Sequence, residues 1–201
     1  MIIKKIASAN YKLSELIKQR WSPRAFDDKY FLSRDEIMSL CEAIRWSPSC
    51  YGEEPWRVII FDKATNKDNF DKAISCLDEW NQRWAKNSSV LFLVMAYKFF
   101  KRNGKINNWS KYDTGAAAEN LCLQAVALGL ASHQIGGFDY AKTKKVFYIP
   151  DEYEILTFIA VGKQTDYEIL DEDLKNLELA PRKRSAFENN FFSGSLDNPL
   201  T

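Results

Sequence analysis

The sequence is poor in the residues that build metal centres and disulfides. Its 201 residues include one histidine, His133, and four cysteines that lie far apart without a CxxC pair, namely Cys41, Cys50, Cys76 and Cys122. Neither set has the ligand spacing of a zinc site. We therefore expect no metal, and we expect free thiols in a reduced, cytoplasmic protein.

Charge of one sign and long hydrophobic runs are also absent. Lysine and arginine total 28 and aspartate and glutamate total 27, so a net charge of +1 argues against nucleic acid or an anionic membrane as partner. The longest nearly apolar run, Val90 to Tyr97, is far shorter than the ~20 residues that span a bilayer. Met1–Lys5 carries charges where a signal peptide needs an apolar core. No linker or repeat divides the chain, and we predict a single domain over residues 1–201.

Helical patterns occupy much of the chain. The predicted helices run from about residue 11 to Arg20, from the capping box Ser33–Glu36 to near Trp46, over Asp68 to about Lys86 in two pieces, over Tyr112–Leu130, and from Asp139 to Phe147. Short apolar runs predict strands over Trp56–Phe61 and Val90–Ala96, both buried on two faces, and over Glu154–Gly162. Because helices and strands mix without regular βαβ alternation, we predict an α+β fold.

Four segments carry residues suited to binding a ligand: Arg20–Phe26, Ser47–Trp56, Gln134–Phe138 and Pro181–Arg184. Arginines and hydroxyls suit a phosphate or an anionic ring edge. Small residues between prolines, or paired glycines, let a ligand approach the backbone closely. Each segment also has an ordinary interpretation, as a solvated loop, a helix-to-strand connection or a surface basic cluster.

No pattern supplies a catalytic side chain. The Gly136-Gly137 pair has neither GxGxxG spacing nor a predicted strand before it, so it is not a dinucleotide fingerprint. A lone histidine such as His133, without an evident Asp or Ser partner, is more often structural than a general base. A triad, an HExxH and a P-loop are all missing. If the protein is an enzyme, its chemistry belongs to a cofactor.

Together the four segments and the central helix resemble the FMN-dependent nitroreductases. The five matches are the R-x-S-x-R-x-F element (Arg20, Ser22, Arg24, Phe26), the P-S-x-x-N-x-Q-P-W turn (Pro48, Ser49, Pro55, Trp56), the D-x-G start and A-L-G-L end of the central helix (Asp113, Gly115, 127–130), the glycine loop (135–138) and the K/R-x-R pair (Arg182, Arg184). Each motif is weak alone, but five occur in register over residues 12–188.

The resemblance implies a nitroreductase-like fold, in which helices flank a central, mostly antiparallel sheet. It implies an intertwined homodimer with FMN in two sites at the interface. The C-terminal tail, residues 185–201, would pack on the partner subunit.

The resemblance also assigns the cofactor site residue by residue. Arg20 and Ser22 would face the phosphate and ribityl groups, Arg24 the pyrimidine edge, and Arg182 and Arg184 would complete the phosphate site. The remaining predicted contacts are the backbone of Gly136 at flavin N5 with Ile135 and Gly137 beside it, Trp21, Asn81, and the turn residues Pro48, Ser49, Cys50 and Gly52, which would arrive from the other subunit.

Two positions in that turn depart from the family pattern. Gly52 stands where asparagine is usual and Glu54 where glutamine is usual. Trp21 also replaces a commonly basic residue.

By this resemblance the protein is an FMN oxidoreductase that uses NAD(P)H to reduce nitroaromatics, quinones or related conjugated acceptors through flavin N5, by a ping-pong mechanism. The alternatives are another flavin reductase on the same scaffold, acting on enones or aldehydes, and a flavin-binding protein with little turnover. A nucleic-acid-binding module resting on the basic tail is the least favoured.

Overall fold

Four antiparallel strands form the sheet around which the chain folds. The structure is a computed structural model that describes residues 2–200. The strands are β1 (Trp56–Asp62), β2 (Val90–Tyr97), β3 (Ala131–Ile135) and β4 (Tyr153–Gly162). They lie in the order β1-β2-β4-β3, and every neighbouring pair is antiparallel. The predicted α+β fold with an antiparallel sheet is confirmed.

Two predictions about the strands are wrong. The sequence predicts no strand before the glycine loop, yet β3 ends at Ile135, directly before Gly136. Serine, histidine and glutamine interrupt its apolar pattern, and pairing with β4 holds it in the sheet. β1 is not buried on both faces, because it is an outer strand whose Ile60 is 37% exposed. Only the inner strand β2 is buried along nearly its whole length.

Helices flank the sheet. They are α1 (Glu15–Gln19), α2 (Arg34–Arg45), α3 (Lys67–Cys76), α4 (Glu79–Ala85), α5 (Ser110–Ala127), α6 (Tyr140–Val146) and α7 (Glu172–Leu179). α1 begins four residues later than predicted, because Tyr11 and Leu13 line a cavity instead of forming a helical turn. α7, in the acidic stretch near the C-terminus, is not predicted from the sequence. None of the helices within residues 2–200 has the length and apolar character that crossing a bilayer requires.

Two local predictions are confirmed in detail. The Ser33–Glu36 capping box opens α2: the Glu36 amide donates to Ser33 Oγ (3.2 Å), and Glu36 Oε2 accepts from the Ser33 amide (2.7 Å). The helical region 67–85 is divided at Leu77, which forms a β-bridge with Phe138. The break between α3 and α4 therefore attaches this region to the glycine loop.

Side chains of β2 alternate between two hydrophobic cores, as the two-residue period of a strand requires. Leu91, Leu93 and Met95 pack on one face, in a cluster that includes Phe70 of α3 and Leu174 of α7. The intervening Val90, Phe92 and Val94 pack on the other face, together with residues of α2 and α5. The small side chains Ala117, Ala118 and Ala125 of α5 are buried there and let the helix lie close to the sheet.

Candidate functional site

Two arginine-bearing segments from opposite ends of the sequence meet at one cavity of about 1130 Å³. Arg20 and Ser22 follow α1, whereas Arg182, Lys183 and Arg184 follow α7, and all five line the space. We call it the basic cavity. The structure thus brings together four of the predicted phosphate-binding residues.

The guanidinium groups in the basic cavity influence one another. The pKa of Arg182 is lowered, first by burial and then by the positive charges of Arg20 and Arg184. Arg182 is held in place by the carbonyls of Lys5 (3.3 Å) and Lys18 (3.1 Å), which accept hydrogen bonds from its Nη1. Neighbouring positive charges that repel one another in this way favour the binding of an anion between them.

Arg20 has one acidic neighbour in the cavity. Its Nη1 donates to Ser22 Oγ at 3.3 Å, and its Nε lies 3.5 Å from Glu119 Oε1 of α5. The side chain of Glu119 is 45% exposed, so water weakens this ion pair. Gln134 Nε2 of β3 donates to the other carboxylate oxygen of Glu119 at 3.3 Å. Gln134 begins the predicted segment Gln134–Phe138, whereas Glu119 is not suggested by the sequence motifs.

Arg24 has different surroundings from Arg20. Its backbone amide donates to both carboxylate oxygens of Glu178 (3.1 and 3.0 Å), and its Nη1 lies 3.9 Å from the same carboxylate. Its Nε is buried and has no hydrogen-bond partner within residues 2–200. Burial raises the pKa of Glu178, against the opposing effect of the Arg24 and Ala25 amides and the charges of Arg24 and Lys5. Arg24 thus retains a buried donor that no residue among 2–200 satisfies.

His133 has a structural environment. Its Nδ1 lies 3.0 Å from the carbonyl oxygen of Pro23 and therefore donates to it, and its ring stacks on Trp84 at 4.4 Å. Burial is the largest cause that lowers the pKa of His133 to about 4; the hydrogen bond with the Pro23 carbonyl opposes it, and the charges of Arg24 and Arg20 act in the same direction as burial. The ring is therefore neutral at pH 7, and the structural interpretation is the one that the geometry supports.

The two glycines of the glycine loop differ in the space beside them. A Cβ at Gly137 would lie 2.6 Å from both Asn81 Nδ2 and Asp78 Oδ2, so only glycine fits without movement. Asn81 Nδ2 donates to the Gly137 carbonyl at 3.0 Å, which places Asn81 at this loop. A Cβ at Gly136 would meet nothing within 4 Å. A ligand therefore has access to Gly136, whereas neighbouring Ile135 is buried.

The turn 48–54 lies apart from the basic cavity within one chain. Pro48, Ser49 and Gly52 line a separate cavity of about 450 Å³. The turn is fixed to the start of α5, because the Cys50 amide donates to Asp113 Oδ2 at 2.9 Å. Gly52 has φ +68° and Glu54 has φ +48°, so the backbone is left-handed at both positions where the chain departs from the family. Arg57 contacts the carbonyl of Glu54, not its carboxylate.

Trp21 also points away from the other predicted contacts. It lines a third cavity, of about 370 Å³, where Lys5 Nζ lies 4.8 Å from its ring centre. All four cysteines are free thiols. Within the part of the chain that the structure describes, no three His, Cys, Asp or Glu side chains are grouped as metal ligands would be.

The chain is thus an antiparallel α+β protein in which arginines from both ends of the sequence meet at one cavity. The chain belongs to the nitroreductase family, whose model matches residues 17–163. The predictions of this family and of an oxidoreductase are confirmed.

Individual relatives agree with this assignment. A crystal structure described as an oxidoreductase containing FMN superposes with a TM-score of 0.89 at 30% identity, over 98% of this chain and 100% of that one. The oxygen-insensitive NADPH nitroreductase of Helicobacter pylori is 25% identical over 188 residues, which cover 76% of this chain and 88% of the relative. An uncharacterized 15.4 kDa protein of Mycolicibacterium smegmatis is 32% identical over 117 residues, 58% of this chain and 78% of that protein. The first of these descriptions names FMN and the second names NADPH, in agreement with the predicted cofactor and co-substrate.

Proposed function

We propose that this chain binds FMN with its phosphate in the basic cavity, and uses NAD(P)H to reduce nitroaromatics, quinones or related conjugated acceptors. The observation that carries the proposal is the meeting of Arg20 and Ser22 with Arg182 and Arg184 at that cavity. Charge-assisted hydrogen bonds from arginine suit a terminal phosphate. FMN ends in such a phosphate, and it is the cofactor named for the oxidoreductase of similar structure described above.

The residues present fit FMN in three respects. The mutual repulsion of Arg182, Arg20 and Arg184 is relieved by a bound phosphate. The buried Nε of Arg24 lacks a partner among residues 2–200, and the oxygens and nitrogens of a flavin ring edge can accept from it. The open space at Gly136 lets a flat ring approach the backbone.

Each group has a distinct role in this proposal. Arg20, Ser22, Arg182 and Arg184 bind and orient the phosphate. Arg24 places a positive charge where negative charge develops on the flavin, in a site partly shielded from water. The backbone N–H of Gly136 would donate a hydrogen bond to flavin N5. When bound, FMN would supply the redox chemistry between NAD(P)H and the acceptor, in the predicted ping-pong sequence, so no side chain would need to act as acid or base.

We infer that a second copy of the chain completes each site. The turn 48–54 lies outside the basic cavity of its own chain, and it presents Pro48, Ser49 and Gly52 at a separate cavity. In a homodimer this turn would supply the predicted contacts of Pro48, Ser49, Cys50 and Gly52 to the partner's flavin.

The visible spectrum of the purified protein tests the proposal. We expect a yellow protein whose flavin band bleaches anaerobically with NADH or NADPH and returns when a nitroaromatic or a quinone is added. The cofactor released on denaturation should be FMN. Double-reciprocal plots of the initial rate against NAD(P)H concentration, at several acceptor concentrations, should give parallel lines. A colourless protein that ignores added FMN, or one that releases FAD, would contradict the proposal.

A further inference from the structure

A buried carboxylate holds the loop that carries the first arginine motif. Glu178 of α7 has no exposed side-chain surface, and it accepts hydrogen bonds from the backbone amides of Arg24 (3.1 and 3.0 Å) and Ala25 (3.4 Å). These contacts join residues 154 and 153 positions apart in the sequence. Hydrogen bonds from amides to an ionised carboxylate are stronger and more directional than those between neutral groups.

The same residue stands next to the second arginine motif. Glu178 lies in the last turn of α7, and the chain leaves this helix directly into Arg182–Arg184. The end of the helix is also fixed from the N-terminal segment, because Lys5 Nζ donates to the carbonyls of Leu177 (3.2 Å) and Ala180 (2.6 Å). One buried side chain therefore connects the two segments that line the basic cavity.

A negative charge at this place does not itself favour an anionic ligand. Glu178 contributes to the site through its position: Arg24 and Lys5 are the cations beside the carboxylate, and the amides of Arg24 and Ala25 donate hydrogen bonds to it. The carboxylate is directed at the loop backbone, and Glu178 is absent from the lining of the basic cavity.

We propose that Glu178 is a positioning residue that fixes the Arg20–Arg24 segment relative to Arg182–Arg184, so that the arginines of both form one anion site. The proposal rests on the proposed function, because the anion is the phosphate of FMN. Without the carboxylate the cavity arginines are still present, but the two segments are no longer held in a fixed relative position.

Paired titrations with FMN and riboflavin test this role, since the two ligands differ only by the phosphate. Flavin-free wild type, Glu178→Gln and Glu172→Gln are titrated with each ligand and followed by flavin fluorescence. Glu172 is an exposed residue in the first turn of the same helix, so its variant removes the same charge without the same contacts. In Glu178→Gln we expect the preference for FMN over riboflavin to fall about tenfold or more, whereas Glu172→Gln keeps the wild-type ratio.

A general loss of structure would give a different result. It would weaken both ligands alike, and equal weakening, or an unchanged ratio, would overturn the proposal. If Glu178→Gln does not fold, Glu178→Asp retains the charge one methylene short of the amides, and the same ratio is measured on it.

Amide hydrogen exchange of the unliganded protein separates this inference from the proposed function. We expect faster exchange at Arg24 and Ala25, and in residues 182–184, for Glu178→Gln but not for Glu172→Gln. A wild type that binds no flavin would contradict the proposed function, yet this comparison would still report whether Glu178 holds the two segments. Unchanged exchange at both segments would refute the role of Glu178.

Discussion

Arg20 and Arg24 are four residues apart, yet their guanidinium groups lie in different environments. Arg20 lines the basic cavity with Ser22, and its acidic neighbour Glu119 is partly exposed. Arg24 lies beside the fully buried Glu178 and keeps an unpartnered Nε within the described residues. We therefore expect a change at Arg20 to act on phosphate binding, and a change at Arg24 to act on the electrostatics of the buried site.

The first prediction separates these two arginines. Arg20→Ala should weaken FMN binding by about 1.5–3 kcal/mol, the range for a lost charge-assisted hydrogen bond. Arg24→Ala should in addition lower the flavin reduction potential, because it removes a cation that stabilises negative charge on the ring. Fluorescence titration and spectroelectrochemistry measure the two effects, with Arg24→Lys as the control that keeps the charge. Equal shifts in potential for Arg20→Ala and Arg24→Ala would show that the roles are assigned wrongly.

The second prediction concerns Gly52, where the family usually has asparagine. At φ +68° a side chain is strained, but asparagine tolerates this region better than most residues, and its Cβ would meet nothing within 4 Å. Gly52→Asn should therefore fold normally, with a melting temperature close to wild type, and bind FMN more tightly through its amide. Gly52→Ala has the same backbone strain without the amide and should gain no affinity. Equal FMN affinity in both variants would place this position away from the flavin.

The third prediction is a pH dependence of stability that arises at His133. Its pKa is about 4 in the folded chain against 6.5 ordinarily, so below pH 6.5 the unfolded chain takes up a proton that the folded chain refuses until about pH 4. The free energy of unfolding therefore falls as the pH falls through this window, by about 2 kcal/mol at pH 5. Urea denaturation at pH 7 and pH 5 measures it.

His133→Phe keeps a ring against Trp84 and should flatten this pH dependence. His133 is the only histidine of the chain, so no other imidazole masks the difference. The raised pKa of Glu178 acts in the opposite direction, but it is present in both proteins and cancels in the comparison. An equal loss of stability in both proteins between pH 7 and pH 5 would rule out His133 as the source.

At the scale of elements, local signals predict some parts well and long-range contacts decide the rest. The capping box of α2, the break between α3 and α4, and the buried strand β2 follow from short sequence patterns. β3 does not, because its five residues alternate poorly and its place depends on pairing with β4. The same holds for the residues of the site. The arginine motif is predicted from a short sequence pattern, whereas the contact of Glu178 with Arg24 joins residues 154 positions apart and is not predicted.

The C-terminal tail, predicted to pack on the partner subunit, contacts its own chain in the structure. Phe187 packs edge-on against Tyr11 of the same chain at 5.6 Å and tilts against Phe191 at 5.1 Å. Ser185, Phe187 and Phe191 line the basic cavity. Packing of residues 185–201 on a partner subunit remains a prediction.

Two truncations test the tail. Deletion of residues 185–201 removes the aromatic side of the basic cavity, so it should weaken FMN binding and the homodimer together. Deletion of residues 192–201 keeps Ser185, Phe187 and Phe191, and it should retain both properties nearly unchanged. FMN titration and light scattering after size-exclusion chromatography provide the measurements. If the longer deletion leaves a dimer that holds its flavin, the tail is incidental to the site.

At the scale of the whole molecule, one chain leaves an aromatic surface around the turn 48–54 exposed. Trp46 and Tyr51 are 75% and 72% exposed, and Trp109 and Tyr112, at the start of α5, are 55% and 75% exposed. The hydrogen bond from Cys50 to Asp113 holds the turn beside this end of α5. Large aromatic residues gathered in this way are typical of protein interfaces.

The last prediction follows from that surface. A homodimer that covers it should bury more than about 2,000 Å² and persist on dilution, as obligate dimers do. Tyr112→Asp places a charge in the surface and should produce monomers that lose FMN, because each site then lacks the partner's turn. Tyr148→Asp, at a residue 89% exposed after α6, introduces the same charge elsewhere and should leave the dimer intact. Sedimentation velocity with detection at the flavin band follows mass and cofactor at once, and monomers of Tyr112→Asp that retain FMN would show that one chain holds the flavin alone.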